Sequence, residues 1–256
     1  MGSKMAWECR LAQEAIPRPD RGAGCAFLGG WLYPGRTVGA HRQEDCFTGL
    51  LHPHFARLSM SDTDRFQRAI RSIDEANRED PSSEIDGGVA QPKELLYGMR
   101  MQAWVERLDP RAPEALRIAA RSQHIRRWEI PRSDYPMDRK GYLRWRTTLY
   151  AFHADRASEL LQATGYGDET IQRVRALLQK RNLRTDADVQ TLEDAAALVF
   201  LEHHLDDFLK RDDIGEEKAI DIIRKTWKKM TERGHGAASS LELSEESNAL
   251  LELALS

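Results

Sequence analysis

The stretch that decides the fold is D-V-Q-T-L-E-D-A-A-A-L-V-F-L-E-H-H-L-D-D-F-L-K, residues 188–210. Asp194, Leu198, Leu201, Leu205 and Phe208 recur in it at steps of four and three. That spacing lines one face of an α-helix, whereas a strand would alternate. The face is apolar except at Asp194. A carboxylate there is costly unless something pairs with it or is held by it.

Working outward, the same period returns on both sides. Ser61 and Asp62 can cap a helix whose apolar positions are Phe66, Ala69, Ile70 and Ile73. It should end before Asp80-Pro81 and a polar, Gly-containing loop to Pro92; Asn77 and Asp80 read as loop and turn residues rather than catalysts. Leu95, Leu96, Met99, Ala103 and Leu108 mark a second helix. Pro113 suits a first turn, and the third helix is expected to run to about Trp128. A fourth carries Tyr142, Trp145, Leu149, Phe152, Ala157 and Leu160 and stops at Gly165. Asp168 opens a fifth. The sixth is the stretch quoted above. A seventh carries Ala219, Ile220, Ile223, Trp227 and Met230 and closes at Gly234, and Ser244 can start a short last one. No strand is predicted. The expected class is all-α, a compact domain of about seven helices over 61–256.

Residues 1–60 read differently. They hold all three cysteines, 8 of the 17 glycines, and prolines at 17, 19, 34 and 53, with no period over a useful length. The expectation is a disordered or non-native extension. Its acidic residues make it a weak organelle-targeting peptide. The remainder carries 31 basic and 36 acidic residues, a net charge of −5, and no cysteine. That fits a reducing, cytoplasmic compartment and excludes a thiol nucleophile from 61–256. Mean hydropathy is −0.61, and no apolar run approaches the roughly 18 residues of a membrane span, so no membrane partner is expected. The acidic balance disfavours long nucleic acid as a partner. The P-loop, dinucleotide, zincin and nucleophile-elbow motifs are absent.

Two histidines join Asp194 as ligand-type residues on apolar stripes. His124 follows Leu116 and Ala120 by eight and four. His153 lies four after Leu149 and four before Ala157. If the three converge, imidazole nitrogens and a carboxylate would suit a divalent metal ion (Mn, Fe, Zn or Mg) with a bound water as nucleophile. Each is also compatible with a hydrogen-bonded core residue. The order His, His about thirty residues on, then Asp about forty further resembles the HD superfamily of metal-dependent phosphohydrolases over about residues 110–210. The resemblance implies His124, His153 and Asp194 as metal ligands and an HD-like hydrolase fold. It departs where the family has adjacent His-Asp: this chain reads His153-Ala154-Asp155, and residues two apart on a helix face nearly opposite ways. Asp155 and Glu193 are the candidate catalytic or supporting carboxylates.

Arg121, Arg126, Arg127, Arg132, Arg139, Lys140, Arg144 and Arg146 crowd the third helix, the proline loop and the fourth helix, interleaved with Trp128, Tyr135, Tyr142 and Trp145. Arginine forks suit phosphate, and the rings can stack. Arg127, Trp128, Arg132, Arg146 and Lys180 are the candidate substrate contacts. Lys225, Lys228 and Lys229 form a second patch near a helix end, where cations favour the macrodipole.

The strings Q-H-I-R-R-W-E-I-P-R (123–132), G-Y-L-R-W-R (141–146), L-E-D-A-A-A-L-V-F-L-E (192–202) and R-K-T-W-K-K-M (224–230) resemble the family called domain of unknown function 4202, across most of 61–256. That resemblance implies the domain and no reaction. Two functions follow as expectations. One is a metal-dependent phosphohydrolase of a nucleotide or other small phosphorylated molecule. The other is a non-enzymatic helical module that binds RNA, a nucleotide or a protein through its Arg/Trp-rich surface.

Overall fold

Helices form where the apolar period predicts them, and short polar segments cap them. The computed structural model describes residues 62–183 and 185–256. The extension expected over 1–60, and the cap expected at Ser61, lie outside the described residues. Ten α-helices occur among the described residues: α1 (Asp62–Arg78), α2 (Lys93–Leu108), α3 (Glu114–Arg121), α4 (Arg139–Ala163), α5 (Asp168–Leu178), α6 (Ala187–His203), α7 (Leu205–Leu209), α8 (Glu216–Trp227), α9 (Glu232–Ala238) and α10 (Glu245–Leu255). The domain is mostly helical, as expected. None of these helices is long and apolar enough to cross a membrane.

The count exceeds seven because two expected helices break. The stretch over 188–210 splits at His204, giving α6 and the single turn α7. The expected seventh ends early at Trp227, and Gly234 lies inside the separate α9. The third helix is shorter than expected. It stops at Arg121, and the chain turns through 122–126 into a 3-10 turn at Arg127–Glu129. His124 therefore sits on a turn.

The loop before α2 also departs from expectation. It is a hairpin, β1 (Ser83–Asp86) pairing antiparallel with β2 (Val89–Pro92), with Asp86 opposite Val89. The two-residue turn is Gly87-Gly88, with φ of 55° and 82°. Those are the positive dihedrals a tight hairpin turn needs, and glycine adopts them without steric cost. Strands of four residues with mostly exposed side chains carry no alternation long enough to read.

The core gathers the apolar stripes. Met101 and Val105 of α2, Leu116 and Ile118 of α3, Leu161 of α4, Val174 and Leu177 of α5, Leu192 and Leu198 of α6, and Ile222 of α8 are all fully buried. Burying side chains of this kind stabilises by about 1.5–3 kcal/mol each before entropy is counted. Helix α2 packs on α3 and α6, α4 on α5, and α9 on α6.

A satellite cluster of Tyr142, Trp145 and Leu149 holds the proline loop against the start of α4. Asp138 caps α4 by accepting from the Gly141 N–H at 2.7 Å. The Trp145 indole N–H donates to the Ile130 carbonyl at 2.8 Å. A Cβ on Gly141 would stand 2.1 Å from the Pro136 carbonyl oxygen, so the loop approaches this closely only over glycine.

Candidate functional site

The site grows from the first turn of α2. Asp80 accepts from the Ser82 N–H at 2.9 Å and the Glu94 N–H at 2.9 Å, tying the hairpin's entry to the helix start. Buried Asn77 donates its side-chain N–H to the Glu94 carbonyl at 3.4 Å and accepts from the Arg126 N–H at 3.0 Å. Asp80 lies in the loop, as expected, whereas Asn77 sits in the last turn of α1, and together they fix Glu94 relative to the turn that carries His124. That turn is strained: Arg126 has φ of 50°, a left-handed conformation costing about 1–3 kcal/mol for a non-glycine residue.

Glu94 gathers two partners. Its Oε2 lies 3.0 Å from His124 Nδ1, and its Oε1 accepts from Arg127 Nη1 at 3.4 Å. Tyr97, one turn on, stacks on His124 with centroids 3.9 Å apart and planes 7° from parallel. Burial alone would raise the Glu94 carboxyl, but His124, its hydrogen bond, Arg127 and Lys93 hold it down at about 2. Burial pushes the His124 imidazole below its ordinary value, against the pull of Glu94. The pair at neutral pH is therefore a carboxylate accepting from a neutral ring's Nδ1–H.

His153 comes from α4, on the buried side, as its spacing predicts. Its Nδ1 faces the Ile125 carbonyl at 2.9 Å, and its ring centre lies 6.0 Å from that of His124. Burial, then His124, push it down to about 3, so it too is neutral.

Helix α4 adds Arg146 and Tyr150 to the same face, seven and three residues before His153. Arg146 hydrogen-bonds the Tyr150 hydroxyl and lies over its ring at 5.0 Å. The Lys180 ammonium lies over that ring at 5.6 Å and pairs with Glu193 of α6. Lys180 follows α5 in a turn with φ of 54°, a second strained position at the site. Lys229, in the turn after α8, completes the group. Burial pushes its ammonium down to about 7; Glu193 opposes, while Arg146, Lys180 and Lys225 push the same way. Lys180 also acts on His124, and Glu193 on Tyr97, so the two halves share one electrostatic field.

The metal expectation is corrected. Among the described residues no group of three or more His, Cys, Asp or Glu side chains is placed to hold a metal ion. The physical reason lies at Asp194. Its carboxylate accepts from the Thr231 N–H at 2.9 Å, the Thr231 hydroxyl at 2.5 Å and Gln190 at 3.4 Å. Gly234 presses on it so closely that a Cβ there would lie 2.9 Å from Cγ. Asp194 latches the start of α9 to α6, and its charge is satisfied there. The chain's donors do not fit the divalent ion that the His-His-Asp order implied.

The remaining expected residues divide. Arg127, Arg146, Lys180, Glu193, His124 and His153 come into one cluster. Asp155 points away and pairs with Arg175 at 2.7 Å, with its side chain 56% exposed. Buried Arg132 donates to the carbonyls of Tyr135 at 2.8 Å, Pro136 at 2.7 Å and Asp138 at 3.4 Å, which clamps the proline loop. Trp128 is half-buried under Arg126 at 5.7 Å.

Glu94, Tyr97 and Tyr150 belong to the cluster and carry no sequence motif. Their one signal is periodic: Glu94 and Tyr97 are i and i+3, and Arg146, Tyr150 and His153 are i, i+4 and i+7.

No curated protein and no solved structure matches the chain. Residues 67–251, well over half of the chain and every element of the cluster, match Domain of unknown function (DUF4202), and the protein belongs to that family.

Proposed function

We propose that the domain binds a small phosphorylated molecule, such as a nucleotide, in the cluster between the α2 start, the 122–127 turn, α4, the 180 turn and the 229 turn. The observation that carries this reading is a convergence of cations. Arg127, Arg146, Lys180 and Lys229, from four separate segments, share a field with Glu94 and Glu193. Both histidines are neutral and add no further positive charge. Burial is the main cause of the depressed Lys229, and the like charges of Arg146, Lys180 and Lys225 add to it. A phosphate dianion would offset these charges and accept charge-assisted hydrogen bonds.

This is the binding reading, moved from an open Arg/Trp surface into the cluster, because Arg132 is committed to the proline loop. The HD-like phosphohydrolase reading leaned on a metal set that Asp194 cannot join, so less supports it. A compact ligand suits a half-buried cluster better than a long, exposed polyanion.

The test is titration of the full chain with inorganic phosphate and with a nucleoside monophosphate, followed by calorimetry and thermal melting. A ligand at 100 times its Kd should stabilise by about 2.7 kcal/mol. Arg146→Gln should weaken binding at least ~10-fold, by losing a charged hydrogen bond of about 1.5–3 kcal/mol. Equal affinity in wild type and variant, or no binding at millimolar phosphate, ends this reading.

A further inference from the structure

The Glu94–His124 pair has a geometry that anion binding alone does not require. Glu94 accepts from Nδ1, which fixes the tautomer with the proton on Nδ1 and leaves a lone pair on Nε2. Among the described residues no group hydrogen-bonds that Nε2. Tyr97 stacks flat on the ring and sets its plane. The ring is 22% exposed, so the cluster opens to solvent at this residue, whereas His153 is 3% exposed. Arg127 shares Glu94 with His124, and Lys180 lies close enough to act on the ring. An oriented neutral imidazole beside cations is the arrangement of an activated nitrogen nucleophile facing a phosphoryl group.

We infer that His124 is the nucleophile of a metal-free phosphoryl transfer from a phosphate monoester held in the cluster. This rests on the binding reading above. The Nε2 lone pair forms an N–P bond while the P–O bond to the alcohol breaks, its electron pair leaving on oxygen. The leaving oxygen takes a proton from water. The hydroxide so formed attacks phosphorus, the N–P bond breaks, and its electron pair returns to Nε2. One ester and one water are consumed, and one alcohol and one phosphate are formed. Glu94 stabilises the positive charge that the ring carries while phosphorylated. Arg127 and Lys180 neutralise the equatorial oxygens. Glu94 is a positioning residue, since it acts through the ring.

The test uses the full chain with p-nitrophenyl phosphate in excess EDTA, with acid-quenched and alkali-quenched samples weighed intact. The expected result is turnover unaffected by EDTA and a phosphorylated protein that survives alkali and is lost in acid. His124→Asn should remove the adduct and lower turnover at least ~100-fold, while still binding inorganic phosphate. Added imidazole should restore part of the turnover in that variant. Glu94→Gln should lower turnover and change its pH profile, which a packing defect would not do. His124→Gln and a thermal melt guard against a folding defect in His124→Asn.

If inorganic phosphate binds but neither adduct nor turnover appears, this inference falls and the binding reading stands. An adduct that persists in His124→Asn also overturns it. If phosphate does not bind at all, both fall.

Discussion

Two buried acidic residues on core-facing helix positions, Asp194 and Glu94, end in opposite situations. Asp194 is fully buried; Thr231 saturates it from the α9 side and Gln190 from its own helix, with Gly234 closing the remaining space. Glu94 is as well anchored from behind, through Asp80 and Asn77. Its carboxylate, however, faces His124, on which Lys180 also acts, and Arg127, which lies over the Trp145 ring. Both carboxylates satisfy the rule that buried charge must be partnered. The difference is what the partners do next. Around Asp194 the donors belong to α6 and the start of α9, with Gln190 also holding the Lys229 carbonyl, and the region is a latch. Around Glu94 the network ends in an oriented ring nitrogen among cations, and this is the region we propose as a receptor.

The sharpest way to break this contrast is Asp194→Ala. It should cost about 3 kcal/mol, because the Thr231 donors lose a charged acceptor, and it should lower Tm by about 6–12 °C in a domain of this size. Phosphate affinity should be unchanged. Calorimetric melting and a phosphate titration check both, and a large affinity loss would merge the two regions into one.

Arg127→Gln is the reciprocal change. Glu94 keeps His124, so the melt should move by only about 1 kcal/mol. Phosphate binding should weaken about 10-fold, from one lost charged hydrogen bond of about 1.5 kcal/mol. An equal effect on both would make the cluster a second latch.

A pH titration of stability sharpens the comparison further. His153 has a folded value of about 3 against an ordinary 6.5. A depressed folded value means that the folded state resists the proton. Its contribution is full above about 6.5 and is lost as pH falls toward 3, with a slope of up to ~1.4 kcal/mol per pH unit. Glu94 has the same sign in a lower window: its contribution is lost between its ordinary 4.5 and about 2. Stability from denaturant melts should therefore fall from pH 6.5 to 5 in wild type and fall less in His153→Gln, where the depressed His124, His203 and His204 keep part of the slope, while Glu94→Gln differs below 4.5.

The smallest effect belongs to Asp155→Asn. Its exposed pair with Arg175 should be worth about 0.5 kcal/mol or less, with no change in phosphate affinity or turnover. A loss of either would return Asp155 to the site.

Much of this was legible before the fold. The 3.6-residue period placed the helices, and the same period put His153 on a buried face and Asp155 on an exposed one. Arg146 and Lys180 stand out from residue type alone as candidate anion contacts, and the fold sets them with Tyr150 and Glu193. The spacing of His124 suggests a metal ligand, and the fold gives it Glu94 as its partner instead. Its spacing to Leu116 and Ala120 implied a continuing helix, yet the chain leaves the helix at Arg121 and holds the turn through Asn77, 49 residues away from Arg126. The hairpin escaped notice because two glycines and eight mostly exposed residues leave no periodic trace. Lys229 read as a helix-end cation, and only the meeting of three other segments shows what its charge faces.

The sequence by itself determined which residues lie on which helix faces, because a face is a local property set by rise and turn over a few residues. Tertiary structure alone decided which faces meet. It gave Asp194 to Thr231 and Glu193 to Lys180, and it set Glu94 against His124 across 30 residues of chain. Such pairings depend on helix lengths, breaks and close approaches such as Gly234 on Asp194, each of which carries to the rest of the packed interior. A shared face is written in the spacing of residues. A shared site requires the folded chain.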